Sequence, residues 1–354
     1  MRVLTPFIVS TCMLIVPFAF GVESQPTKII EQQTQLKIQY HGNAILRFEN
    51  ETFKQRNHRQ RLRLVGRAGV NFQYGGFQFN SRLSTGNKNK QNIPAITVAK
   101  FNEQPDPPTD IFLERFFVTY KTTDLSVSLG KQPWMFSNQT DTFWDRQLHP
   151  QGLFVQYKLS PSSHTRMAIL KPLDGATDTV GSLSVVQYVK QLKLGQGKFT
   201  FAPWWVSYEG DSATFAIRDT QYAHESLRLS SSFSDGMWKT GIDIGYAFNS
   251  PELIVGNPEN ISLAFQVNYG KLKQIGDYQA HLRFFYTERF SVISEFAQNA
   301  TAGFATSNIK GFDTRFRYKL SNAVWVGARL SRLHTITTDA EQSTRFRIEA
   351  MATF

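Results

Sequence analysis

The sequence predicts an all-β fold: a transmembrane antiparallel up-and-down β-barrel of about eighteen strands, with about sixteen as the alternative count. Three observations predict it. First, apolar residues recur at every second position over long stretches. These run to roughly ten residues, the unit of a membrane-spanning strand and longer than the usual soluble one. Second, short turns alternate with long polar loops, the asymmetry of barrels with short periplasmic turns and long extracellular loops. Third, the last stretch places Phe346, Ile348, Ala350, Ala352 and Phe354 on one face and Arg345, Arg347, Glu349, Met351 and Thr353 on the other. A strand that stops on an aromatic residue is either a sheet edge, which is a liability, or the closing strand of a barrel.

Composition agrees with this reading. The chain has 354 residues, a net charge of +11 and 30 Phe, while its mean hydropathy lies below zero. Many aromatics at low hydropathy suit segments that alternate apolar and polar positions. The basic balance fits nucleic acid, an anionic membrane surface or anionic solutes, and the positions of the arginines decide for solutes, with no nucleic-acid partner expected. Beyond the N-terminus no run approaches the ~20 apolar residues of a spanning helix, so a membrane form requires a closed barrel.

The N-terminus reads as a secretory leader. Arg2 supplies the positive charge, residues 3–20 are apolar but interrupted by Pro6 and Pro17, and Ala19 and Gly21 are small residues two apart. The expected division is therefore 1–21 signal peptide, 22–35 periplasmic linker and 36–354 barrel. Cys12, the single cysteine, falls in the leader, which leaves no disulfide framework.

Strands are expected, in order, over 36–49, 59–73, 77–83, 112–120, 125–129, 153–160, 163–171, 182–192, 198–208, 226–233, 237–248, 261–269, 278–286, 290–296, 312–320, 323–332 and the final stretch. The ambiguous 213–218 completes an even count, which single-chain bacterial barrels keep. In the first strand Leu36, Ile38, Tyr40, Gly42, Ala44, Leu46 and Phe48 share one face; in the second Arg59, Arg61, Arg63 and Arg67 oppose Leu62, Leu64, Gly66 and Ala68. Trp204-Trp205 and Tyr208 read as part of an interfacial aromatic girdle. Gly195-x-Gly197 reads as a hairpin turn rather than a phosphate loop, since no strand-to-helix pattern surrounds it.

Residues 59–160 resemble a family of bacterial outer-membrane porins. The matching elements are Arg59-Gln60-Arg61-Leu62-Arg63-Leu64, Arg82-Leu83-Ser84-Thr85-Gly86, Phe112-Leu113-Glu114-Arg115-Phe116-Phe117-Val118, Leu129-Gly130-Lys131 and Phe143-Trp144-Asp145-Arg146-Gln147-Leu148-His149-Pro150-Gln151-Gly152. The sequence departs from the family pattern at Ser84, Glu114, Gln147 and Gln151, the last two standing where acids are common. The resemblance implies a passive channel in the outer membrane without naming its solute.

If the last strand closes on the first, the lumen wall carries Arg47, Arg61, Arg63, Arg67, Arg315, Arg317, Arg329, Arg345 and Arg347, with Lys37, Arg59 and Lys319, against Glu49, Asp313 and Glu349 only. Such a wall favours anions, unless its charges are screened or paired with loop carboxylates. Asp106, Asp110, Trp144 and Asp145 are the candidates for a constriction loop. With Glu103 and Asp141, these acids would set a field across the pore; Trp144 reads first as a loop anchor. Phe354 resembles an assembly signal for outer-membrane barrels. The expected function is passive diffusion of small hydrophilic solutes with an anion preference. An adhesive or structural barrel, an outer-membrane enzyme and a secreted binder of acidic polymers are the rivals. No catalytic set, metal spacing or cofactor motif emerges: the seven histidines are scattered and no nucleophile elbow occurs. Expected partners are membrane lipid, the barrel-assembly machinery and anionic or other hydrophilic solutes, and a homotrimer is one assembly open to the chain.

Overall fold

The computed structural model describes residues 35–354 apart from 56, 88–92, 103–108, 173–180, 211–221, 249–258, 298–305 and 338–340. The expected leader, nearly all of the linker and the ambiguous strand 213–218 lie outside the described residues.

The described residues form β-strands and no helix. In chain order these are β1 (Lys37–Phe53), β2 (Arg59–Tyr74), β3 (Phe77–Gly86), β4 (Ile96–Lys100), β5 (Asp110–Lys121), β6 (Leu125–Lys131), β7 (Gln151–Ser160), β8 (Ser163–Lys171) and β9 (Gly181–Leu194). They continue with β10 (Gly197–Gly210), β11 (Tyr222–Asp235), β12 (Trp238–Ala247), β13 (Ile261–Gly270), β14 (Tyr278–Thr287), β15 (Ile309–Lys319), β16 (Val324–Thr335) and β17 (Gln342–Thr353). Neighbours pair antiparallel around a ring that β17 closes onto β1. The ring has sixteen strands; β4 stands outside the count. It arises because β3 is much shorter than β2 and turns away at Gly86. The short-turn half of β2, Arg67–Tyr74, pairs with β3, and β4 pairs with the other half at Arg61–Leu64.

The count therefore settles at sixteen rather than eighteen. The segment 290–296 is not a strand. It is closed by local bonds, Ser291 N–H to the Glu288 carbonyl at 3.3 Å and Phe296 N–H to the Ile293 carbonyl at 3.0 Å. Its apolar side chains fold into the lumen instead of pairing with a neighbour, and apolar content alone does not distinguish the two fates.

Alternation between lipid and lumen holds along the seam. Tyr40 and Ile348 are 77 % and 53 % exposed, whereas Glu49 and Arg345 are 0 % and 1 % exposed. The outward side chains are apolar because lipid offers them no hydrogen bonds. Connections at one end are short, as at 75–76, 161–162 and 195–196, and those at the other are long, as at 132–150 and 288–308. Gly75 closes one of these tight turns at φ 54°, a left-handed conformation that only glycine adopts without cost. A bulge in β5 shifts its register against β3 between Arg82 and Leu83. The extra residue turns two consecutive side chains, Glu114 and Arg115, away from the lipid face.

One wall departs from the polar lumen of a simple pore. Phe154 of β7, Leu170 of β8, Leu183 and Val185 of β9, and Trp204, Val206 and Tyr208 of β10 point inward and are buried. Trp204 and Tyr208 are therefore not girdle residues. They face the barrel interior, and of the expected set only Trp205 lies on the other face, its indole N–H donating to Glu225 at 2.9 Å.

The closing strand ends against β1. Gly42 and Phe354 exchange backbone bonds of 2.9 and 3.1 Å, and a Cβ at Gly42 would stand 2.3 Å from the Phe354 ring. Deleting Phe354, or replacing Gly42 with Leu, is expected to lower the folded fraction seen as a heat-modifiable band in electrophoresis. Normal folding of both variants would contradict this account of closure.

Candidate functional site: an arginine-lined constriction

The registers of β2, β1, β17, β16 and β15 set lumen side chains in three rows across the wall. The row nearest the long loops is Arg59, Glu51, Arg345, Ser331 and Asp313. The next is Arg61, Glu49, Arg347, Arg329 and Arg315, and the third is Arg63, Arg47, Glu349, Gly327 and Arg317. Nine arginines thus share these rows with four carboxylates. Directly opposed side chains in adjacent strands stand close enough to interact, so the register itself makes the ion pairs.

Glu49 is the centre of the lattice. Its carboxylate lies 3.0 Å from Arg61, 3.2 Å from Arg63, 2.6 Å from Arg347 and 3.6 Å from Arg47. Glu51 takes Arg61 at 3.4 Å and Arg345 at 3.3 Å, and Glu349 takes Arg47 at 3.1 Å. Asp313 holds Arg315 at 3.0 Å and Arg329 at 2.5 Å and accepts the Ser331 hydroxyl at 2.7 Å. Two acids missed by the sequence reading, Glu51 and Glu114, belong to this wall. Glu51 lies beyond the expected end of the first strand, and Glu114 is turned inward by the bulge. Glu114 pairs with Arg67 at 2.9 Å and also with Arg82.

Within the three rows two arginines stand apart from these pairs: Arg59, whose guanidinium lies 5.9 Å from the Phe53 ring centroid, and Arg317. Arg317 has no carboxylate within ion-pair distance among the described residues, and its guanidinium lies over the Trp325 ring at 4.5 Å. Arg146, on the loop that faces the wall, pairs with Asp141 at 3.5 Å and keeps half its side chain exposed.

That loop, residues 132–150, folds inward and is tied at four places. Asp243 of β12 accepts from the backbone N–H of Gln139 at 3.1 Å and of Thr140 at 2.5 Å, and from the Thr140 hydroxyl at 2.6 Å. Gln187 of β9 exchanges bonds of 2.8 and 2.9 Å with the Ser137 backbone. Arg67 donates to the Gln147 carboxamide at 2.5 Å, so the neutral side chain keeps a contact where the resembling family often has an acid. Arg115 Nε donates to His149 Nε2 at 2.9 Å, and His149 Nδ1 reaches the Gln147 carbonyl at 2.9 Å. Burial first, then the charges of Arg115 and Arg82, hold His149 well below the usual histidine range, which keeps its ring neutral.

Trp144 packs inside the loop's apolar cluster. It is 1 % exposed, stacks on Trp134 at 4.4 Å between centroids and meets Phe296 at 5.3 Å. Phe136, Phe143 and Leu148 join it against the apolar wall of β7–β10, together with Phe290, Val292, Ile293 and Phe296. Asp145 is buried at the same turn, where it accepts the Gln147 N–H at 2.8 Å, and so caps the loop rather than facing the pore alone. Asp110 does not reach the constriction. It is exposed at the long-loop end of β5, where it accepts the neighbouring Ile111 N–H at 2.8 Å. Asp106 and Glu103 lie outside the described residues.

Asp141 is the loop acid placed at the pore, bound to Arg283 of β14 and to Arg146. Burial alone would raise its carboxyl, but the fields of Arg283, Arg146, Arg315 and Arg329 outweigh this and hold it far below the ordinary carboxylate range. Two cavities open on either side of it. One, about 300 Å³, is walled by the arginine rows with Ile45, Val65, Trp325 and Met351. The other, about 280 Å³, is polar: Gln266 and Asn268 of β13 and Gln279 and His281 of β14 line it beneath Asn138–Asp141. Asp141, Arg146, Arg315 and Arg317 line both. Among the described residues no His, Cys, Asp and Glu cluster has metal-site geometry.

No protein-family model and no curated protein sequence matches the chain. Solved structures do. OprB of Pseudomonas putida is similar over 90 % of this chain and 94 % of its own, with a TM-score of 0.59 and 9 % identity. OccAB4 of Acinetobacter baumannii is similar over 91 % and 99 %, at 0.53 and 8 %. A BenF-like porin from Pseudomonas fluorescens Pf-5 is similar over 90 % and 99 %, at 0.52 and 11 %.

Two outcomes are expected. Asp243→Ala removes a buried acceptor with several donors and should loosen the loop by about 2–4 kcal/mol. Single-channel recordings should then show a larger, noisier conductance, whereas an unchanged trace would show that the loop does not depend on this tie. The second concerns pH. A carboxylate whose folded pKa is depressed contributes stability that is present above its unfolded pKa and is lost only as pH falls through the folded value. The Asp141 clamp should therefore survive acidification from about pH 7 to about pH 4, with conductance noise unchanged; a jump in noise across that window would contradict it.

Fold, register and structural likeness agree that the chain is a sixteen-stranded barrel with the fold of the outer-membrane porins.

Proposed function

We propose that the protein is a passive outer-membrane channel for small hydrophilic solutes, with a preference for anions. The observation that carries this is the lumen wall of nine arginines and four carboxylates, faced by Arg146 from the constriction loop. The carboxylates neutralise part of the wall, and the excess remains cationic where the cavities meet. Rows of Arg in a pore favour anions. The loop does not supply a purely acidic opposite wall: its acid, Asp141, is engaged by Arg283 and Arg146. The fold supports the channel reading, and the leader-like N-terminus supports export. Lipid, the assembly machinery and further copies of the chain, as in a homotrimer, are its proposed partners.

The apolar cluster under β7–β10 favours a second reading, a barrel whose lumen is plugged for a structural or adhesive role. Conductance separates the two. Protein extracted from outer membranes in detergent should give discrete conductance steps in a planar bilayer, with a zero-current potential of the sign set by anion permeation in a KCl gradient. Absence of steps supports the plugged barrel, and a potential of the opposite sign sinks the anion preference.

A further inference from the structure

The polar cavity beside the arginine rows has a chemistry that bare ion passage does not require. Gln266 is a buried residue and Gln279 a half-buried one, both carboxamides border the cavity, and neither makes a hydrogen bond among the described residues. Amides that border a cavity without a protein partner are left to bond water or a ligand there. A carboxamide offers both donors and an acceptor, which suits hydroxyl groups, since these also donate and accept. The same cavity is bounded by Arg146, Arg315 and Arg317. Arg317 is free of carboxylates and Arg146 is half exposed, so two guanidiniums can turn to an anionic group, and their planar forks match carboxylate and phosphate oxygens. The other cavity shares these arginines but adds Ile45, Val65, Trp325 and Met351. The two ends of the site therefore differ: cations stand at the junction and amides lie to one side.

We propose that this cavity is a binding subsite for polyhydroxylated organic anions, meaning sugar acids or sugar phosphates. The anionic group sits at Arg146, Arg315 and Arg317 and the hydroxyls meet Gln266 and Gln279. The inference rests on the channel reading and names the class of solute that the channel retains longest. A volume of about 280 Å³ accommodates one hexose-sized solute.

The test uses the detergent-folded full-length protein in planar bilayers in KCl. Gluconate and glucose 6-phosphate are the probes, with hexanoate as an anion lacking hydroxyls and sorbitol as a polyol lacking charge. The probes should block current at roughly tenfold lower concentration than either control, the equivalent of one to two hydroxyl–amide hydrogen bonds. Block by only one probe assigns the headgroup, carboxylate or phosphate, within the proposed class. The double variant Gln266→Ala and Gln279→Ala should lose the preference for gluconate over hexanoate, with block by each anion read against the variant's own KCl conductance. If that variant does not fold, Gln279→Glu alone should abolish block by both anions. Equal block by gluconate and hexanoate in the native protein overturns the proposal, as does a preference that survives the variants. A protein without KCl conductance overturns the channel reading separately, and calorimetric titration with gluconate then decides the subsite: binding weakened by Gln279→Glu upholds it, and no binding overturns it.

Discussion

Glu49 sets the terms for the wall it stands in. Four guanidiniums converge on one fully buried carboxylate, drawn from β1, β2 and β17. Breaking a buried ion network by removing one member costs about 3–5 kcal/mol, because the remaining charges are left uncompensated. The pairs exist only because β17 closes on β1 in one register. A slip of one residue would turn every one of these side chains to the lipid. Closure and charge matching are thus one constraint, and Arg61, Arg63 and Arg347 hold the seam as much as they colour the pore.

The opposite wall solves a different problem. Inward Leu183, Val185, Trp204 and Val206 could not line water without loss, and the two inward loops cover them. The barrel interior is therefore divided: an apolar half packs against the 132–150 loop, and a cationic half opens onto the two cavities beside it. Asp243, Gln187, Arg67 and Arg115 tie the loop at points spread around the ring. Such ties place Arg146 and Asp141 beside the two cavities with little freedom.

Much of this was legible in the residues. Alternation located the sixteen membrane strands, the inward arginines and the outward apolar face, because in a membrane the two faces meet different solvents. What escaped lies where that rule fails. Trp204 lies in a stretch of β10 that is apolar on both faces, with Phe201, Pro203 and Trp205 opposite Ala202, Trp204 and Val206, so period two carries no sign of direction there. The segment 290–296 is as apolar as a strand but has no edge to pair with. Glu114 is turned inward by a bulge that leaves no mark in composition. Of the loop acids, Asp141 reaches the pore and Asp110 stays at the rim, since a loop path depends on long-range partners such as Arg283 that no local pattern announces. Arg146 carried no distinguishing signal beside Trp144 and Asp145.

In the proposed channel the cations flanking the constriction, Arg146 and Arg317, set the ion preference, while the paired interior of the lattice holds the seam. The most direct measurement is the zero-current potential of Arg146→Gln with Arg317→Gln in a KCl gradient, set against the native channel. Both residues lie outside the Glu49 network, so the barrel should close normally. The native channel is expected to be anion-selective, and its potential to move toward the cation side in the double variant. An unchanged potential in a variant of normal conductance would contradict it.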